Sequence, residues 1–270
     1  MFVQSPLYCS VIGCGDPVVF VHGDSLFGNP VDHWSNQLEL ADEYQLIIPA
    51  RYGYYLSPLP EYETFEVYAQ AISQLLGDGA HLVGHSYGGV VALLAAAIRP
   101  EAIYSLTVSE PPAFSLVRGH LDVERFISRI QAAPVPLSHM TPEAFTLYLH
   151  NAIFDQHETQ LPERVHAILE SPYGRRGTEA NMREPSPWET TIPLARLAEA
   201  PFPKLVFSSR SVAMHEAVCE VLVQQLAAEH FVIPEAGHVI PRTGRPFNDR
   251  LRSFMRNART EKKKEENIGS

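Results

Sequence analysis

Gly84, His85, Ser86, Tyr87, Gly88 and Gly89 decide the reading of this chain, because of what stands on either side of them. The short run His81 to Gly84 has the look of a strand leading into the motif. Behind it, Val90 to Ile98 is apolar nearly all round, which suits a helix buried under a sheet and ended by Pro100. A Gly-x-Ser-x-Gly run in that setting predicts a sharp strand-to-helix turn whose serine takes a strained backbone conformation. Side chains at Gly84 and Gly88 would collide with neighbours. The turn lifts the Ser86 hydroxyl clear of the sheet and sets it at a helix N-terminus, where amides and the helix dipole favour negative charge. Ser86 is therefore the expected nucleophile.

Outward from the motif the first half alternates short apolar runs with helical patterns, the signature of an α/β architecture with a mostly parallel sheet. Val18 to Val21, Leu46 to Pro49 and Ile103 to Val108 are further expected strands. Phe65, Tyr68, Ala69, Ile72, Leu75 and Leu76 recur at helical spacing, so 64–76 should lay one face on the sheet. Ahead of these, Phe2 to Ile12 with Gly13 and Gly15 is expected to form a β-hairpin. From Pro112 to Ala200 the alternation stops and helical pieces broken by prolines take over, as in an insertion. Glu184 to Trp188, with two prolines, reads as a stiff extended stretch. The alternation resumes with Lys204 to Phe207, Glu216 to Ala228, Phe231 to Ile233 and a closing helix Arg245 to Met255. The tail 259–270, rich in Lys and Glu, is expected to be disordered.

Composition narrows the function classes. The 270 residues are 45% apolar and 19% charged, as in globular proteins, and 21 Lys plus Arg against 31 Asp plus Glu leave a net charge of -10. Such a chain does not attract nucleic acid or anionic lipid at long range, so a small-molecule substrate is the expected partner. No apolar run is long enough to span a membrane and the N-terminus lacks a signal-peptide pattern, which predicts a cytoplasmic protein. Cys9, Cys14 and Cys219 match no metal-ligand spacing and read as reduced thiols, although Cys9 and Cys14 could lie close across a hairpin. No metal or organic cofactor is expected, and the oligomeric state is left open between monomer and homodimer.

Two loops complete a candidate site. The strand ending at Val21 runs into His22, Gly23 and Asp24, and the backbone amides of Asp24 and Tyr87 together can form an oxyanion hole. His22 reads as a structural brace for that loop. A carboxylate beside an oxyanion opposes the charge being stabilised, so the Asp24 side chain should point away, be protonated or contact a polar group of the substrate. Downstream, Glu235, Ala236, Gly237 and His238 follow the last strand, and of 12 histidines His238 is the best placed to take the serine proton and return it. His85 reads as packing. His215, at the head of a helix, is a candidate site-lining residue. Trp188, Phe145, Tyr148 and Phe154 either line an apolar pocket over Ser86 or are plain core.

On the residues Val18 to Gly23, Gly84 to Gly89 and Ala236 to His238, the sequence resembles the α/β-hydrolase superfamily. The resemblance covers nearly the whole chain outside the insertion and the tail. It implies a core of 1–111 and 201–258, a helical cap at 112–200, and nucleophile, oxyanion and general-base roles for Ser86, the Asp24 and Tyr87 amides, and His238.

The chain departs from the superfamily pattern twice. The usual acid position, a few residues past Lys204 to Phe207, is Val212, and the nearest carboxylate, Glu216, should lie inside the following helix. Glu110, after the preceding strand, is the candidate acid, the alternative being a Ser–His dyad. The Asp that often precedes Arg51 is here Ala50, and Arg51 is expected to brace the loop near the oxyanion hole. The implied activity is a serine hydrolase cleaving an ester, lactone, thioester or similar acyl bond of a small, largely apolar molecule. A C–C bond hydrolase or a perhydrolase using the same residues, and a ligand-binding member with little turnover, are the alternatives.

Overall fold

The computed structural model describes residues 5–24 and 28–268, the last eight of these by backbone alone. Seven strands form one sheet: β1 (Cys9–Ile12), β2 (Asp16–Val21), β3 (Tyr44–Pro49), β4 (Ala80–His85), β5 (Ile103–Ser109), β6 (Lys204–Ser208) and β7 (Glu229–Val232). Their order is β1-β3-β2-β4-β5-β6-β7, and every pairing is parallel except β1 with β3. The expected hairpin at the N-terminus is therefore not formed. β1 runs antiparallel to β3, with Cys9 opposite Pro49, because an outer strand gains a full ladder there while β2 is taken on both sides by β3 and β4. Phe2 to Gln4 lie outside the described residues.

Ten helices cover the sheet and its C-terminal edge: α1 (Pro30–His33), α2 (Phe65–Gln74), α3 (Tyr87–Ile98), α4 (Leu121–Gln131), α5 (Pro142–Phe154), α6 (Glu163–Glu170), α7 (Pro172–Asn181), α8 (Leu194–Glu199), α9 (Ala213–Leu226) and α10 (Arg245–Ile268), all among the described residues. The period-2 geometry of a strand divides β2 between two cores. Val19 and Val21 face the layer of α2, α3, α8 and α9, while Val18 and Phe20 face the layer of α10 and Trp34. All four are fully buried, so both faces of the central strands are covered and these strands read as continuous apolar runs.

The segment between β5 and β6 holds α4 to α8. Of these, α8 packs on α3 and α9 with Leu197 fully buried, so it belongs to the layer under the sheet and the chain has rejoined the core before Ala200. α10 buries Phe247, Leu251, Phe254, Met255 and Ala258 along one stripe. It then continues to Ile268, through a stretch the sequence predicts to be disordered. Composition misleads there because Glu and Lys are good helix formers, and a helix already nucleated by a docked half extends at little cost.

The chain leaves β2 toward β3 on one side and reaches β4 on the other. Neighbouring connections therefore diverge at the C-terminal ends of β2 and β4, and a crevice opens there.

Candidate active site

Ser86 occupies that crevice. It caps α3 with φ 52 and ψ -130, a conformation an L-residue holds only when its surroundings enforce it. The enforcement is packing. A Cβ at Gly84 would stand 2.6 Å from the Gly88 carbonyl oxygen, and one at Gly88 would stand 2.3 Å from the carbonyl oxygens of Val21 and His22. The Ser86 amide is tied to the Ser109 carbonyl at 2.9 Å, which fixes the turn against β5.

His238 lies on the loop after β7 and bridges two partners. Its Nε2 accepts from the Ser86 hydroxyl at 2.9 Å, and its Nδ1–H donates to Glu110 Oε2 at 2.8 Å. Glu110 sits just past β5, 1% exposed, and its other oxygen accepts from the Ser209 amide at 2.8 Å and the Ser209 hydroxyl at 2.6 Å. The loop after β6, which lacks a carboxylate, thus supplies the donors that fix one. Val212 caps α9, and Glu216 inside that helix lies toward Arg210 and His230. All three members of this arrangement carry complementary hydrogen bonds in one tautomer, a geometry in which a carboxylate can orient the ring and leave Nε2 able to take a proton.

Two further histidines hold the His238 loop. His85 Nε2–H donates to the His238 carbonyl at 2.9 Å, and His33 Nε2–H donates to His85 Nδ1 at 3.0 Å. Burial pushes His85 down to about 3 and His33 well below the usual imidazole range, so both stay neutral. His215, buried, stacks on the His238 ring at 4.4 Å, and burial keeps it neutral too. Sequence spacing gave no sign of His33, and it placed His85 in packing, because both roles depend on contacts across the sheet edge.

The loop after β2 closes on the elbow, where a Cβ on Gly23 would stand 2.7 Å from Ser86 Cβ. Asp24 follows Gly23 on this loop, and Tyr87 supplies the first amide of α3, next to Ser86. His22 Nδ1–H donates to the Gly23 carbonyl at 2.7 Å and its Nε2 accepts from the Arg51 amide at 3.0 Å, a brace rather than a proton carrier. Arg51 is buried. It donates to the Gly23 carbonyl at 3.0 Å, to Tyr54 at 3.1 Å and to Glu184, and lies 3.5 Å from Asp24. With Ala50 where a carboxylate often stands, the partner carboxyl comes from the insertion. The sequence offered one sign of this, since a buried arginine without a neighbouring acid must find one elsewhere.

A cavity of about 100 Å³ lies between Ser86 and the insertion. Phe114, Phe126, Phe145, Trp188 and Met214 give it an apolar wall, His215 and His238 border the reacting end, and Asp24 and Asn181 make a polar corner. Of the expected aromatic residues, Trp188 and Phe145 line this cavity. Tyr148 instead donates to the Arg129 carbonyl, and Phe154 is 38% exposed and packs on His150.

A buried serine on a strained strand–helix turn, hydrogen-bonded to a histidine and through it to a carboxylate, defines an α/β-fold serine hydrolase. The chain belongs to the alpha/beta hydrolase family, whose sequence profile matches residues 18–250. It is 23% identical over 230 residues to RutD of Azorhizobium caulinodans, a protein named for carbamate hydrolysis, covering 82% of this chain and 83% of that one. It is 36% identical over 105 residues to the pimeloyl-[acyl-carrier protein] methyl ester esterase of Aeromonas salmonicida, a match covering 38% of this chain and 41% of the esterase. A hydrolase structure from Oleispira antarctica shares the fold with a TM-score of 0.70 at 18% identity, over 94% of this chain and 96% of that one. Among the described residues no helix is long and apolar enough to cross a membrane.

Proposed function

We propose that this protein hydrolyses an ester or similar acyl bond of a small, largely apolar molecule, through Ser86, His238 and Glu110. The observation that carries the reading is the continuous chain from Ser86 Oγ through both ring nitrogens of His238 to Glu110, at 2.9 and 2.8 Å. Ser86 attacks the carbonyl carbon as His238 Nε2 takes its proton, and Glu110 stabilises the imidazolium that results. The tetrahedral oxyanion rests on the Asp24 and Tyr87 amides, each such donor being worth about 2.7 to 4 kcal/mol of barrier. His238 then protonates the leaving group, and water activated by the same nitrogen releases the acyl group.

The apolar wall and the size of the cavity support a compact acyl group. An engineered cavity of about 150 Å³ holds benzene, so about 100 Å³ suits a group of that size or smaller.

The test is a pre-steady-state burst on a short-chain nitrophenyl ester, with Ser86→Ala alongside. A stoichiometric burst in the native protein that vanishes in the variant is expected. Equal, slow release from both would overturn the reading.

A further inference from the structure

The side chain of Asp24 is left unexplained by acyl transfer. It is ringed by protein yet keeps 34% of its surface accessible, and it borders the cavity beside Asn181. Arg51 lies 3.5 Å behind it but is shared, since the same guanidinium also holds Glu184 and the Gly23 carbonyl. Burial raises the Asp24 carboxyl from its usual range, while Arg51 and hydrogen bonds from the Asn181 and Glu184 side chains pull it down. One guanidinium thus serves two carboxyl groups, and the more accessible of the two borders the cavity.

Its position relative to the reaction is fixed by covalent reach. If the Asp24 amide binds the oxyanion, its own carboxyl oxygens lie only about 3 to 5 Å from that amide, the span of four bonds. A substrate hydroxyl one or two carbons from the scissile carbonyl falls within their reach. A substrate without a donor there leaves the cavity-side oxygen of this carboxylate unpaired near the growing oxyanion once water is displaced, which raises the barrier. A substrate hydroxyl there satisfies the carboxylate and draws its charge away.

We infer that Asp24, supported by Asn181, is a specificity-determining residue that selects esters carrying a hydroxyl on the carbon α or β to the carbonyl. The inference rests on the proposed acyl-transfer reading. It narrows the substrate class to small hydroxy-acid esters, with the apolar remainder against Phe126 and Trp188.

The experiment compares kcat/KM for methyl 2-hydroxypropanoate, methyl 3-hydroxypropanoate and methyl propanoate by acid release, in native protein, Asp24→Ala and Asp24→Asn. A hydrogen bond to a charged group contributes about 1.5 to 3 kcal/mol, so at least one hydroxy ester should exceed the propanoate by about 10- to 100-fold. Asp24→Ala should bring that ratio close to one, and Asp24→Asn, which keeps an acceptor oxygen, should retain part of it. The ratio within each variant cancels any general loss from altered folding. Native rates within about threefold of one another, or a preference that survives Asp24→Ala, would overturn the inference while leaving acyl transfer intact. Labelling by a fluorophosphonate separates the two readings. No turnover of the three esters with Ser86 labelled overturns the inference alone, and no turnover with Ser86 unlabelled overturns both.

Discussion

Glu110 and His238 stand 128 positions apart in the chain, and their side chains meet at 2.8 Å. Since Glu110 carries no exposed surface to speak of and is held by Ser209, its carboxylate has one orientation in which to receive the Nδ1 proton. Replacing Glu110 by Gln keeps the shape and offers the ring the wrong partner. Turnover of a nitrophenyl ester should fall by about 10⁴-fold with KM little changed, as the corresponding acid-to-amide change does in serine proteases. Glu216→Gln should be nearly neutral, and equal losses in the two would assign the acid wrongly.

Gly88→Ala should disable the elbow. The added methyl meets two main-chain carbonyl oxygens at 2.3 Å, and main chain cannot swing aside as a side chain can. A loss of about 1 to 3 kcal/mol in urea unfolding is expected, together with loss of the acyl burst as the Val21–Gly23 segment shifts. A variant with native burst amplitude would contradict this packing.

The buried imidazoles make the protein acid-sensitive in a defined window. His22, His33, His85 and His215 are all held below the ordinary value of 6.5, chiefly by burial, and His85 falls to about 3. The unfolded chain therefore binds more protons than the folded one below about 6.5, so their contribution is complete above that pH and lost as pH falls toward 3. The urea midpoint should decline from pH 6.5 to 5, before most carboxylates titrate. His85→Gln, which can still donate to the His238 carbonyl, should decline less steeply. A flat midpoint across that interval would contradict the neutral cluster.

Glu184 acts with the opposite sign. Burial pushes its carboxyl up to about 8 against the pull of Arg51, with Asp24 adding to the rise. A folded value above the unfolded one means the native state holds the extra proton, so stability is lost as pH rises from about 4.5 through 8. Between 6.5 and 8 the histidine contribution is complete and no longer changes with pH, so the urea midpoint should fall with pH in the native protein and stay level in Glu184→Gln. A native midpoint that rises over this interval would rule out the shift.

Legibility in the sequence followed chain locality. The elbow could be read because its strand, glycines and apolar helix lie within twenty consecutive positions, and backbone sterics dictate their pattern. Glu110 is legible through an absence, since Val212 leaves the histidine without its usual partner, and the contact of Glu110 with His238 is the geometry that reading expects. What could not be read depended on contacts made only after folding. The partner of β1 is set by which sheet edge is vacant. Glu184 reaches Arg51 from the insertion, and the His33–His85 pair forms across the crevice. The extension of α10 was missed for a different reason, because charge-rich composition describes solvation and says little about local helix propensity.

The guanidinium of Arg51 places two parts of the molecule in series. One nitrogen grips the Gly23 carbonyl beneath the oxyanion loop, and another grips Glu184 in the insertion. By thermodynamic reciprocity, a change that loosens Glu184 from the guanidinium is felt at the Gly23 carbonyl, and the reverse. The shape of the loop beside Ser86 and the seating of the insertion are in this way tied through one side chain, with no second fastener needed to keep them in step.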